Sequence, residues 1–357
     1  MFFVEASGTH YEMGRQIGKG TRYLIGATVD FLTKRFRPWD NAQFERARER
    51  HMAHTEKRCP ELLEELTGIA DGSGFPFRLV YLTSFYATLG QEFQGCTNII
   101  FTQTPDGPLL AKTNDLPVHE GKHAGVCLRR PKGRPAFLSC MWPGTIMGAP
   151  GVSETGLALG GSSCSANVPQ PKAFMDPHAF IRTAMERAES VSDAIKLMQG
   201  FTLSTWGMNV ALVDKSGDAA IVEKAGEIQG VRRAERGRLW CTNHPRSPEL
   251  IPMTIQNPPV LTESVQRFEA VDRLSSGKPL TANLARELLS YDRQPGRMCR
   301  YGDDDPLDYE TEFSCLLYPS QGRAEFCFTH AGRDPWRRFD IAHGECETPS
   351  SGREGGK

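Results

Sequence analysis

The texture of the chain changes once, sharply, at Gly95, and that change limits the available folds more than any other feature. Up to about residue 90 the apolar residues recur at helical spacing. "GTHYEMGRQIGKGTRYLIGATVDFLTKRF" predicts one long helix, "ARERHMAHTEKRCPELLEELTGIADG" two helices broken at Pro60, and "PFRLVYLTSFYATLG" another. Past Gly95 come short β-prone runs separated by turn residues: "CTNIIFTQ", "PLLAKTND", "GVCLRRP", "AFLSCMW", "GLALGG", "NVALVD" and "AAIVEK". A helical pair interrupts them, with Asp176 and Pro177 as start signals of the first member and Ser192 starting the second. Two more helical segments, roughly 263–275 and 281–292, precede the final strands "EFSCLLYP" and "RAEFCFTH". No repeat and no linker rich in Pro, Gly and Ser divides the body. The expectation is an α+β chain in which helices cover a two-sheet core, followed by a disordered tail over 346–357.

At 357 residues the chain can bury a sufficient core without a metal or a disulfide. The formal net charge is -1 with Lys and Arg scattered, so neither nucleic acid nor an anionic membrane is an expected partner, and a small substrate is. "MFFVEASGTH" lacks the features of a secretory signal, and no window approaches the roughly 20 apolar residues of a membrane span. These features predict a cytoplasmic or intracellular protein. The ten cysteines include no C-x-x-C pair, which points to reduced, buried thiols rather than a zinc knuckle.

"GCTNIIFTQTPDGPLLAKTND", residues 95–115, predicts a hairpin. Pro105 presets φ at the second turn position, and Gly107 tolerates the exit geometry. With Pro105 and Asp106 as the loop, Cys96 lies opposite Asp115; a glycine bulge at Gly107 moves this register by one residue and is expected to leave the pair within side-chain reach. A thiol beside a carboxylate suggests a nucleophile, yet no histidine lies near in sequence to serve as its base. A base is not required if the Gly95–Cys96 peptide bond is cut, because the freed α-amine, with a pKa of about 8, can take the thiol proton itself. The competing reading is a small buried cysteine opening a strand and an aspartate capping a turn.

The same stretch resembles the processing site and first hairpin of the N-terminal-nucleophile (Ntn) hydrolases, specifically the family of acyl-coenzyme A:6-aminopenicillanic acid acyltransferase (peptidase family C45). "GTHYEMGRQIG" resembles that family's N-terminal element, "ELLEELTGIADG" its E-E-I-x-G-I-A-x-G helix, "CTNH" at 241–244 its T-N-H strand, and "MCR" at 298–300 its I-C-R segment; Glu223 stands at its "LE" position. The resemblance implies a four-layer αββα sandwich with two mainly antiparallel sheets. It also implies self-cleavage between Gly95 and Cys96 into an α chain, 1–95, and a β chain, 96–345, that stay associated. It gives Cys96 the role of nucleophile, Asp115 that of orienting the freed amine, and Asn243 that of donating to the oxyanion. Arg300 would hold the charge balance or a substrate carboxylate. The implied activity is a self-processing amidohydrolase or acyltransferase acting on small amides or thioesters. No cofactor or metal is required, and a coenzyme A thioester is admitted as acyl donor.

Two departures set this chain apart from the family pattern. The family's Asn-x-Asp is here Thr113-Asn114-Asp115, and its polar N-Y-N strand end is Gly160-Gly161-Ser162, which removes bulk near the expected acyl pocket. Other signals compete. "HEGKH", His119 to His123, satisfies the H-E-x-x-H zinc-protease pattern, although Gly121 opposes the helix that chemistry needs. "GGSSCSAN" at 160–167 is a weak phosphate-loop candidate. A thiol protease would pair Cys96 or Cys164 with His244 or His330. A zinc metalloprotease and a non-catalytic binding protein of the same fold are therefore the alternatives.

Overall fold

A computed structural model describes residues 1–35, 42–90, 95–118, 124–169, 171–203, 206–302, 305 and 307–346. The helical opening is α1 (His10–Arg35), α2 (Ala42–Arg58), α3 (Pro60–Ser73) and α4 (Phe77–Gly90), preceded by a strand the periodicity did not announce, β1 (Phe3–Gly8). Pro60 breaks the α2–α3 run as expected: it occupies the first turn of α3, where its missing N–H is harmless, and Gly74 ends that helix at φ 76°. The later helices are α5 (Pro177–Arg187), α6 (Val191–Gln199), α7 (Pro258–Ser275) and α8 (Ala282–Leu289). The α6 cap is Ser190, not Ser192, because the Ser190 hydroxyl is placed to accept from the Asp193 N–H. α7 starts earlier than its apolar spacing suggests, with prolines in its first turn.

The predicted runs become β2 (Gly95–Phe101), β3 (Leu109–Pro117), β4 (Gly125–Pro131), β5 (Phe137–Met141), β7 (Leu157–Asn167), β8 (Trp206–Asp214), β9 (Ala219–Ala225), β12 (Tyr309–Tyr318) and β13 (Arg323–Cys327). Short or irregular in pattern, and so missed, are β6 (Gly151–Ser153), β10 (Ile228–Arg233), β11 (Arg238–Cys241), β14 (Arg337–Asp340) and β15 (Gly344–Cys346). Cys346, the first residue of the expected tail, ends β15; residues 347–357 lie outside the described residues.

The strands form two sheets. One has the order β1-β4-β5-β6-β7-β8-β9-β10, antiparallel except for the β1–β4 pair; the other, β11-β2-β3-β12-β13-β14-β15, is antiparallel throughout. The sheets face each other through β2, β3, β7 and β8, while α1, α5 and α6 cover the first sheet and α7 and α8 the second. The period-2 alternation of β2 and β3 shows the layering. Ile100 and Leu110 belong to the core between the sheets, whereas Ile99, Phe101, Leu109 and Ala111 pack with Val271, Leu284 and Leu288 under the outer helices. The four layers are thus α, β, β, α. No helix among the described residues is long and apolar enough to cross a membrane.

Candidate active site

The β2–β3 hairpin carries the site, and its register differs from the tight-turn expectation. Thr104 and Gly107 exchange backbone hydrogen bonds, but along the strands Cys96 pairs with Asn114 and Gly95 with Asp115. The one-residue slip between turn and ladder is the glycine bulge, made possible by Gly107 at φ 88°. Because strand side chains alternate between faces, the slip separates the thiol from the carboxylate. Cys96 and Asn114 point between the sheets with Asn98, Ile100 and Lys112; Gly95, Thr97 and Asp115 point toward α7. Asp115 therefore sits beside the Gly95–Cys96 peptide group rather than beside the sulfur.

β11 lies on the other side of β2, pairing Cys241 with Asn98, and the same register carried two residues on brings Asn243 opposite Cys96. There the Asn243 Oδ1 accepts the Cys96 N–H at 2.9 Å and an Arg267 N–H at 2.7 Å. Its amide nitrogen donates to Ser163, at 2.9 Å to Oγ and 3.2 Å to the carbonyl. With two donors on one end and two acceptors on the other, the orientation of the amide is fixed. Arg267, from the middle of α7, also donates to the Cys96 carbonyl at 2.5 Å and to Thr97 Oγ1 at 2.9 Å. On the inter-sheet side the Cys96 thiol meets Asn114 Oδ1 at 3.6 Å. Asn114, which follows the threonine that stands where the family has asparagine, is thus a polar partner of the sulfur.

Asp115 is fully buried. Its Oδ1 accepts from Thr311 Oγ1 at 2.8 Å and its Oδ2 lies 3.5 Å from Arg300 Nε. Burial pushes the Asp115 carboxyl up to about 6, against the pull of Arg300, Arg267 and Thr311. A Cβ on Gly95 would come within 3.3 Å of Asp115 Cβ and 3.5 Å of the Arg300 guanidinium carbon, so Gly95 permits this close approach. Arg300, 1% exposed, faces Asp115, Asp305 at 3.2 Å, and Glu263. Burial works to raise Glu263, and Arg267 and Arg300 override it to hold that carboxyl below its usual range. Arg300 is thereby engaged by three carboxylates. The structure brings Cys96, Asp115, Asn243 and Arg300 into one buried cluster and adds Arg267, Glu263 and Thr311, which the sequence reading missed. Glu263 and Arg267 stand four apart on one helix, a spacing that reads as an ordinary surface pair.

The competing signals resolve differently. "GGSSCSAN" is the second half of β7, paired to β8, and not a loop. His244 Nδ1 meets the hydroxyls of Ser264 and Thr242, and burial with the nearby Arg246 and Arg267 lowers the ring to about 4, leaving it neutral. Burial drives the Cys164 thiol well up. Glu223 is also structural: it accepts from the Arg246 and Ser247 N–H groups and fixes the loop after Asn243. "HEGKH" falls outside the described residues. Among the described residues His10, Glu65 and Glu186 have metal-ligand spacing, but Arg129, Arg134 and Arg182 already pair with their carboxylates. Gly160 does not open space, since a Cβ there would meet Asn98 Oδ1 at 2.4 Å; Gly161 faces Ile181 and Met208 in the pocket described below.

Two mainly antiparallel sheets facing each other between helical layers define the class: an αββα sandwich of the Ntn-hydrolase type. The chain belongs to the family of acyl-coenzyme A:6-aminopenicillanic acid acyl-transferase, which residues 102–332 match. That match begins past Cys96 and takes in Asp115, Asn243 and Arg300. No curated protein matches the chain significantly. Among solved structures, a point mutant of conjugated bile acid hydrolase from Clostridium perfringens aligns at 11% identity over 69% of this chain and 92% of that one, with a TM-score of 0.49. Penicillin V acylase from Agrobacterium tumefaciens aligns at 12% identity, 70% and 87% coverage and a TM-score of 0.48. The Caenorhabditis elegans ortholog of N-acylethanolamine-hydrolyzing acid amidase gives 14%, 63%, 93% and 0.43.

Proposed function

We propose that this protein cuts itself between Gly95 and Cys96 and then acts as a cysteine amidase or acyltransferase on a small amide or thioester. The observation that carries the proposal is where the buried polar groups converge. Asn243 and Arg267 hold the nitrogen and carbonyl of Cys96, and Asp115 with Arg300 borders Gly95, so the cluster is built around the backbone at the junction. A structural cysteine has no use for that. Three carboxylates (Asp115, Glu263, Asp305) meet two guanidinium groups (Arg267, Arg300) there, and a new ammonium at Cys96 would balance the remaining negative charge.

In the first step Cys96 Sγ attacks the Gly95 carbonyl carbon. The acyl group passes from nitrogen to sulfur, the nitrogen gains the thiol proton, and water hydrolyses the thioester to leave a Gly95 carboxylate and a free Cys96 α-amine. In turnover that amine takes the thiol proton, with Asn243 Oδ1 and Asp115 orienting it, and the thiolate attacks the substrate carbonyl. The Asn243 amide N–H that rests on Ser163 Oγ donates to the developing oxyanion, without turning, as that hydroxyl rotates aside. The protonated α-amine passes its proton to the leaving group, and water or an acceptor amine releases the acyl group from the sulfur. Arg300 keeps the charge balance. The α chain, 1–95, and the β chain, 96–345, remain one structural unit, and a coenzyme A thioester can serve as donor.

Acyl-enzyme trapping tests the chemistry. Brief incubation with a p-nitrophenyl ester, quenched in acid, should add one acyl mass to the peptide that starts at Cys96. Label on another cysteine, with Cys96 unmodified during turnover, would contradict it.

A further inference from the structure

Lys112 is only 1% exposed, yet among the described residues no carboxylate lies within ion-pair distance of its ammonium. Lysine is rarely buried so completely without a counter-charge, because a desolvated ammonium is costly. Its Nζ donates to the Thr113 carbonyl at 2.9 Å and to Asn114 Oδ1 at 3.1 Å, and it lies 5.9 Å from the centroid of the Phe313 ring, so two of its three N–H groups have hydrogen-bond acceptors and the third has an aromatic face at long range. The Asn114 amide also links this side to Glu312, to which its nitrogen donates at 3.2 Å. Lys112 lines a small pocket together with Asn114, Trp142, Met147 and Met208 and with Ile181 of α5. Asn114 Oδ1 is shared between Lys112 and the Cys96 thiol, so 3.6 and 3.1 Å laid end to end place the ammonium no more than 6.7 Å from the sulfur.

We propose that this pocket selects acyl groups bearing their own carboxylate, with Lys112 as its counter-ion. The inference rests on the acyl-transfer reading above and adds a substrate class to it. At about 1.5 Å per carbon–carbon bond, a gap this short admits about one to three carbons between the reacting carbonyl and the carboxylate. The preferred substrates are therefore half-amides or half-thioesters of short dicarboxylic acids. Trp142 and the methionines flank the methylenes, and the ammonium meets the far end.

The test compares succinyl, succinamoyl and 4-methylpentanoyl p-nitroanilides, which keep nearly the same shape while charge and then polarity are removed. Wild-type enzyme should favour succinyl by about 10- to 100-fold in kcat/KM, the range of a hydrogen bond to a charged group. Lys112→Met should bring that ratio near one and Lys112→Arg should keep it. Calorimetric binding of free succinate to wild type, lost in Lys112→Met, gives a readout that needs no turnover. Equal rates for the three acyl groups, or a ratio unchanged in Lys112→Met, would overturn the inference. Succinate binding through Lys112 with no acyl group cleaved would sustain the pocket and sink the amidase. Cleavage of neutral acyl groups without succinate binding would do the reverse, and absence of both would sink both.

Discussion

Cys96 is held through its backbone as firmly as through its side chain, and that decides what single substitutions should do. Asn243 accepts from the Cys96 nitrogen and carries the only role assigned to the oxyanion, so Asn243→Ala should lower kcat roughly 100- to 1,000-fold per cut molecule with little change in KM. Steady-state kinetics normalised to the cut fraction check this, and a raised KM at preserved kcat would make Asn243 a ground-state contact. Asp115 gives a pH signature in the uncut chain. Its folded value of about 6 lies above the unfolded value near 3.8, so the protonated form is favoured by folding. That stability is fully present below about 3.8 and is lost as the pH rises through about 6. Uncut Cys96→Ala should therefore lose on the order of 1–3 kcal/mol between these values that Cys96→Ala/Asp115→Asn does not, by denaturant titration at each pH. Cys96 and Asp115 were legible as neighbours on one hairpin because a proline–glycine turn marks it, but their direct pairing was not, since the bulge sets Cys96 against Asn114 and Asp115 against Gly95. Lys112 was not, since lysine in a strand ordinarily reads as solvent-facing, and burial is set by the second sheet, from residues far along the chain.

The elements show where pattern reading succeeds and where it stops. Long amphipathic helices and turn-bounded strands announced themselves as helices over a two-sheet core, while the αββα order came from the family resemblance. Three-residue β6 and the edge strands β10 and β11 did not, because their pairing partners rather than their own periodicity make them strands. The hairpin register was undecided in sequence, since a tight turn and a bulged one share the same proline and glycine. In the folded chain Gly107 settles it, and a Cβ there would fall 2.5 Å from Ser320 Oγ at a φ that side chains resist. Gly107→Ala should cost about 1–2 kcal/mol. It should also slow cleavage, because a register shifted by one residue would put Asp115 on the face of the sulfur and take it from the junction. Thermal melts and a time course of chain cutting measure the two effects, and destabilisation at an unchanged cutting rate would separate the bulge from the chemistry.

At the scale of the whole molecule, the proposed cut divides one interlocked body. Glu65 on α3 pairs with Arg129 of β4 and Arg182 of α5, and Glu186 of α5 meets His10 of α1, all buried, so residues before and after the junction share one ion network. Burial works to raise Glu186, and Arg182 and His10 override it, holding the carboxyl far below its usual range. The two chains should therefore co-purify without a covalent link. Arg182→Met should destabilise the assembly by up to about 3–5 kcal/mol, seen as a lowered melting temperature or separated chains on gel filtration, because it takes from two buried carboxylates the guanidinium they share and leaves Glu65 with Arg129 and Glu186 with Arg134 and His10. The central claim is the self-made N-terminus. Intact mass and N-terminal sequencing of purified wild type and Cys96→Ala test it most directly: wild type should give two chains, the larger beginning at Cys96, and Cys96→Ala one uncut chain. A wild-type chain that stays whole while it hydrolyses amides, or a Cys96→Ala chain cut at the same bond, would contradict the account.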